Sequence, residues 1–146
     1  MNRLRIRALA VGAMLPFAFG GTVLAATTIK GAAILDNPCG KVSVKMMGLT
    51  HAGKFDDANK LSTKEMQDQW KAMPAKDRAM MMDMGKEMSQ TEEQYTADIK
   101  SNGVLVIDGA SGTLTVKKTT KDANGSSTST TTQHFKLNGS ECLISR

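Results

Sequence analysis

The side chains in this 146-residue chain that are best suited to chemistry carry sulfur: it has 11 methionines and two cysteines. Met80, Met84 and Met88 recur at four-residue intervals, which places them on one face of a helix. Clustered thioethers can hold copper(I), a soft cation that prefers sulfur ligands. The same spacing is typical of a packed core, because methionine fills irregular space, and an exposed patch of this kind could bind an apolar partner. Met82 faces away from the stripe and has no obvious packing role.

The two cysteines, Cys39 and Cys142, lie far apart in the chain. They lack the C-x-x-C spacing of zinc or redox sites, so a structural disulfide is favoured over a metal pair or a reactive thiol. In an oxidising compartment an even pair of cysteines predicts a disulfide. The pair would close a loop of about one hundred residues and stabilise the fold by about 4–5 kcal/mol.

Candidates for acid–base chemistry are few. Tyr95 is the only tyrosine, and Asp98 follows three residues later on the same predicted helix, where the two could pair. The alternative is an aromatic core residue beside a solvated charge. His51 and His134 have no Cys, His or carboxylate at ligand spacing, and His134 is expected to face solvent. The chain has no nucleophile elbow, phosphate loop or H-E-x-x-H motif, and no metal or cofactor is predicted beyond the methionine alternative.

Residues 1–25 have the form of a secretory signal peptide. Arginines at positions 3, 5 and 7 precede an apolar run to Leu24, and small residues stand where a signal peptidase cuts. An uncleaved anchor is the alternative. The predicted location is therefore the periplasm or the exterior, with no membrane span after cleavage. Without these three arginines, 19 basic residues against 14 acidic ones become a net charge near +2, which argues against nucleic-acid binding.

The first half of the remaining chain predicts helices. Asn37 and Pro38 form a start signal, although alternation through Val42 and Val44 leaves a strand open. The segments 62–65 and 89–92 both have the S-x-x-E form of a capping box.

The second half predicts four antiparallel strands, because apolar residues alternate after Gly103. Asp122 to Gly125 indicates a hairpin tip, and Asn138-Gly139 indicates another. With Asn138 and Gly139 as the loop, Lys136 lies opposite Glu141 and Phe135 opposite Cys142. Phe135, Leu137, Cys142 and Ile144 then share the inward face.

Three stretches carry a family resemblance: 51–58 (HAGKFDDA), 112–116 (GTLTV) and 135–144 (FKLNGSECLI). The chain resembles the nuclear transport factor 2-like (cystatin-like) superfamily, especially small secreted bacterial members, including the group once named for lumazine binding. It departs from the family pattern at Lys54, where an acidic residue is usual, and at Cys142-Leu143, near a usual tryptophan.

The resemblance implies an α+β fold with helices packed on a curved, cone-like, four-stranded antiparallel sheet. Residues 26–37 are then an N-terminal extension and residues 38–146 a single domain. The expected function is a non-catalytic binding or accessory module whose cone takes a small ligand or a protein partner, and a homodimer is compatible with this class. The alternatives are a copper(I)-binding protein using Met80, Met84 and Met88, and a small isomerase or hydrolase of the same fold using Tyr95 and Asp98.

Overall fold

A computed structural model describes residues 25–122 and 125–146. All but the last residue of the predicted signal peptide lies outside the described residues, as do Ala123 and Asn124 at the predicted hairpin tip. Within the described residues the fold is α+β, with five α-helices followed by most of an antiparallel sheet. The helices are α1 (Pro38–His51), α2 (Phe55–Asn59), α3 (Lys64–Ala72), α4 (Ala75–Met88) and α5 (Glu92–Asn102).

Helix α1 begins as the sequence predicts. The Asn37 side chain accepts a hydrogen bond of 2.9 Å from the backbone N–H of Cys39, and Pro38 occupies the first helical position. This cap and the apolar face of the helix outweigh the alternation that had left a strand open, so the strand alternative is wrong. A short 3-10 helix, Gly31–Asp36, packs closely against α1. A β-carbon on Gly40 would lie 1.9 Å from the Ile34 carbonyl oxygen, so only glycine fits there.

The two predicted capping boxes differ from the observed caps. Thr63, not Ser62, occupies the position before α3, and it makes no side-chain cap. Ser62 is buried where the chain pairs with Ile144: the Ile144 N–H donates to Leu61 and the Thr63 N–H donates to Ile144. Tertiary pairing therefore replaces local capping at α3.

At α5 a capping box does form, but two residues later than predicted. Thr91 and Gln94, rather than Ser89 and Glu92, exchange the two hydrogen bonds.

The sheet contains five strands, not four: β1 (Thr27–Lys30), β2 (Gly103–Asp108), β3 (Ser111–Asp122), β4 (Gly125–Asn138) and β5 (Glu141–Ser145). Their order in the sheet follows their order in the chain, and every pairing is antiparallel. The additional strand lies in the segment predicted as an extension. It pairs with β2, with Ile29 opposite Leu105.

The last hairpin has a different register from the predicted one. Its two loop residues are Gly139 and Ser140, so Phe135 lies opposite Ile144 and Lys136 opposite Leu143. The predicted Lys136–Glu141 pair is therefore wrong. Moving the loop by one residue changes each pairing partner by two residues, so each side chain stays on its predicted face. Gly139 has φ +61°, the left-handed conformation that a two-residue hairpin of this type requires at its first loop position.

The core lies between the helices and one face of the sheet. Its buried members come from the 3-10 helix, α1, α5 and strands β2 to β5: Ile34, Cys39, Tyr95, Ile99, Leu105, Leu114, Val116, Phe135, Cys142 and Ile144. Cys39 and Cys142 form the predicted disulfide, with their Cα atoms 5.1 Å apart. This confirmed bond joins the start of α1 to β5, which holds the helical layer against the far edge of the sheet.

Candidate functional site

The acid–base candidates Tyr95 and Asp98 have different partners. Tyr95 is buried, and its hydroxyl lies 3.1 Å from the Ser43 hydroxyl, which in turn donates to the Gln133 side chain. The Asp98 carboxylate accepts a hydrogen bond of 2.9 Å from the Gln90 amide. Neither side chain is among those that line the clefts described below.

Burial raises the pKa of Tyr95, and the hydrogen bond with Ser43 only partly opposes this effect. A phenol held neutral, with its hydroxyl engaged between α1 and β4, acts as a polar link within the core. Within the described residues, every fully buried side-chain nitrogen or oxygen has a hydrogen-bond partner.

Both histidines lie at the surface. His51 ends α1, and its Nδ1–H donates to the Ser89 carbonyl oxygen at 3.3 Å. His134 is exposed on β4, as predicted, with Nδ1 3.3 Å from the Thr113 hydroxyl. Among the residues that the structure describes, no three His, Cys, Asp or Glu side chains come together in a way that could hold a metal ion.

Four of the five methionines of α4 are exposed. The exposed fractions are 58% for Met80, 49% for Met81, 52% for Met84 and 79% for Met88. The core-packing interpretation of the predicted stripe is therefore wrong. Met82, which the sequence left without a role, is the half-buried methionine of this helix. The helix packs through a different side from the one that the stripe predicts.

An open cleft of about 470 Å³ lies between the start of α3 and one end of the sheet. Backbone pairing of Leu61 and Thr63 with Ile144 brings the helix start to the end of β5. The lining of the cleft comes from the start of α3, the β2–β3 turn and the ends of β4 and β5: Thr63, Lys64, Glu65, Met66, Ala110, Ser111, Phe135, Lys136, Ser145 and Arg146. The volume is within the range of small-molecule sites, about 300–1,000 Å³.

Cationic and apolar side chains share this cleft with one carboxylate, that of Glu65. Lys64 is engaged by Asp68 at 2.6 Å, a bond that lowers the pKa of the Asp68 carboxyl. Lys136 and Arg146 have no ion-pair partner among the described residues. Met66 and Ala110 supply the accessible apolar part of the lining, whereas Phe135 is only 2% exposed and contributes little surface. A molecule bound here would therefore meet two available cations beside an apolar surface.

A smaller, mainly apolar pocket of about 150 Å³ lies beside this cleft, and Met66 lines both. Phe55 and Trp70 lie stacked in its wall, with ring centroids 6.3 Å apart and planes 16° from parallel. Trp70 is the only tryptophan of the chain and also directs its indole N–H toward the Asp56 carboxylate at 3.4 Å. Any ligand that displaces Met66 is expected to change the surroundings of this indole.

No protein-family model, curated protein or solved structure matches this chain. Across residues 25–122 and 125–146, none of the helices has both the length and the apolar character that a membrane span needs.

Sequence reasoning missed the cleft. Its residues come from four separate segments, and none of them has a motif spacing that indicates binding. The one signal that could have found it is the pairing of the 61–63 segment with β5, and no local pattern predicts such pairing. The exposed methionine face, by contrast, was visible in the sequence as a stripe, although its environment was not.

Proposed function

We propose that this protein is a non-catalytic binding module that takes a small amphipathic anion into the cleft between α3 and the end of the sheet. The observation that carries the proposal is the composition of this cleft: Lys136 and Arg146 line it together with Met66 and Ala110, in a space of about 470 Å³. Binding sites of this size combine apolar lining with a few convergent polar groups that fix the orientation of the ligand. A carboxylate or sulfonate would pair with the two cations, and an apolar body would contact Met66 and Ala110.

The location in the periplasm or outside the cell is part of this proposal. The disulfide between Cys39 and Cys142 supports it, because such bonds form and persist in oxidising compartments. The signal-like sequence of residues 1–25 supports it independently.

Membership of the nuclear transport factor 2-like superfamily is also proposed, on the sequence motifs given above. A cone-like curvature of the sheet, with the cleft at its open end, belongs to the same proposal. In this arrangement the core side chains fill the closed part of the cone, and the ligand occupies the mouth.

The probe for the test is 8-anilinonaphthalene-1-sulfonate, which carries an apolar ring system and one anionic group. Its fluorescence rises when it leaves water, and Trp70 can transfer excitation energy to it from the adjoining pocket. We expect one probe to bind per chain, with energy transfer from Trp70. The Lys136→Gln/Arg146→Gln variant should lose most of the affinity, because both available cations are removed.

The matched control is Lys41→Gln/Lys45→Gln, which removes two cations from a different groove, between α1 and α5. This variant should bind the probe as the unchanged protein does. Equal affinity in the cleft variant and the unchanged protein would contradict the proposal, and so would a loss of the same size in both double variants. Far-UV circular dichroism of each variant establishes that the fold is retained, since partly unfolded states also bind this dye.

A further inference from the structure

One face of α4 consists largely of thioethers that take no part in the core. With about 100° of rotation per residue, Met80, Met84, Met88 and Met81 lie at about 0°, 40°, 80° and 100° around the helix. All four therefore lie within little more than a quarter of its circumference. Each is about half exposed or more, from 49% to 79%. Soluble proteins seldom expose so many large apolar side chains together without a binding role.

The side of α4 next to this arc, beyond Met81, makes the packing contacts. Met82 and Gly85 are half-buried and lie at about 200° and 140° on the same scale. A β-carbon on Gly85 would lie 2.9 Å from the Phe55 ring and 3.5 Å from the Thr50 methyl group, so this glycine lets α4 approach α1 and α2 closely. The exposed methionines are therefore not needed to attach the helix.

We propose that this thioether face, formed by Met80, Met81, Met84 and Met88, is a binding site for a soft monovalent cation, copper(I) in particular. Thioether sulfur is a soft ligand that selects copper(I) over the hard cations calcium and magnesium. Residues three and four apart on a helix have neighbouring side chains, and methionine has three rotatable bonds. Two or three sulfur atoms can therefore converge on one ion without a change in the backbone.

Electrostatics on this face also suit a cation. Asp77 is exposed at about 60° on the same scale, within the arc of the methionines. Met84 and Met88 lie in the last turns of the helix, where the carbonyl end of the helix dipole attracts positive charge. Because thioethers are neutral, a bound copper(I) ion keeps its positive charge, and both Asp77 and the helix dipole stabilise it.

Met84 is the central member of the set. It lies four residues from Met80, three from Met81 and four from Met88, so it alone neighbours all three others. Any pair or triplet of adjacent sulfur ligands within this face is expected to include it. The site lies on a different helix from the lining of the cleft and does not depend on the cleft proposal.

The test is an anaerobic titration of the disulfide-bonded protein with copper(I), buffered by a chelator of known affinity. Silver(I) serves as a redox-inert repeat. The methyl carbons of the methionines are followed by NMR in the same samples. We expect one ion per chain at the first binding step, with shifts of the Met80, Met81, Met84 and Met88 methyl groups and none at Met46, Met47 or Met66, which pack against the core.

Met84→Leu should weaken binding by at least about tenfold, the lower range seen even for residues that only support a metal ligand. Leucine keeps the apolar area and the volume, so the loss reports the sulfur alone. The matched control is Met82→Leu on the packed side of the same helix, which should leave the affinity unchanged.

Three results of the titration would overturn the proposal. The first is that the protein does not compete measurably with the chelator for copper(I). The second is equal affinity in Met84→Leu and the unchanged protein, and the third is methyl shifts confined to other methionines. A variant with leucine at all four positions provides a further test. If it self-associates in a concentration-dependent way without metal, the face binds a second copy of the chain, and the metal site is also overturned. Failure of the cleft to bind a sulfonate would not bear on any of these outcomes.

Discussion

Removal of the disulfide is expected to destabilise this protein severely. The bond closes a separation of 103 residues, from the start of α1 to β5. On the chain-entropy model a closed loop of this length lowers the conformational entropy of the unfolded chain, which raises the free energy of unfolding by about 4–5 kcal/mol. A domain of this size has a free energy of unfolding of about 5–15 kcal/mol, so the loss is comparable with the whole stability at the lower end of that range.

The perturbation is the Cys39→Ala/Cys142→Ala variant, compared with the oxidised protein by equilibrium unfolding in urea. Both cysteines are buried, at 0% and 2% exposure, so truncation also leaves a small void that adds to the loss. The dependence of the unfolding free energy on urea should become steeper, because the unlinked unfolded chain exposes more surface. Reduction of the unchanged protein separates the two effects, since it opens the loop without removing atoms.

A loss below about 1 kcal/mol in both the variant and the reduced protein would refute this reasoning, because the restricted loop would then contribute far less than its length implies. A large loss in the variant together with a small loss on reduction would assign the effect to packing of the sulfur atoms instead.

Three further outcomes follow from the packing. Gly40→Ala should destabilise the fold by about 1–3 kcal/mol or more, measured by urea unfolding, because the added carbon meets the Ile34 carbonyl oxygen at 1.9 Å. Gly48→Ala is the milder case: the added carbon would lie 2.1 Å from Cγ of the exposed Glu92, so that side chain must adopt another χ1 rotamer. The higher helix propensity of alanine, about 1 kcal/mol, offsets part of this cost, and the net loss should be smaller than for Gly40→Ala. Tyr95→Phe should lower the free energy of unfolding by about 0.5–1.5 kcal/mol through loss of the hydrogen bond with Ser43. Burial raises the pKa of Tyr95, so the contribution of its neutral phenol to the free energy of unfolding is fully present below about pH 10 and is lost as the pH rises further. Alkaline unfolding should therefore begin at a higher pH in the phenylalanine variant.

Features set by neighbouring residues could be predicted from the sequence. The Asn37–Pro38 cap, the change from helical to alternating period near Gly103 and the inward face of β5 all depend on residues close together in the chain. The disulfide was also predictable, because the chain has only two cysteines and both were expected near the core.

Features set by distant contacts could not be predicted in the same way. Ser62 looks like a helix cap, but its backbone neighbours pair with β5, and this tertiary pairing decides its conformation. Strand β1 is only four residues long, and it pairs with β2, which follows more than 70 residues later in the chain, so no local pattern indicates it. The side of α4 that packs is likewise decided by Gly85, whose missing side chain allows close approach; a hydrophobicity pattern favours the methionines instead.

The cleft between α3 and the end of the sheet should bind small amphipathic anions at an identifiable set of residues. The most direct measurement is an amide ¹H–¹⁵N NMR titration with 8-anilinonaphthalene-1-sulfonate. We expect saturable shifts concentrated at residues 63–66, 110–111, 135–136 and 145–146, together with the Trp70 indole signal. Shifts centred on the groove between α1 and α5, or no saturable shifts at all, would contradict this expectation.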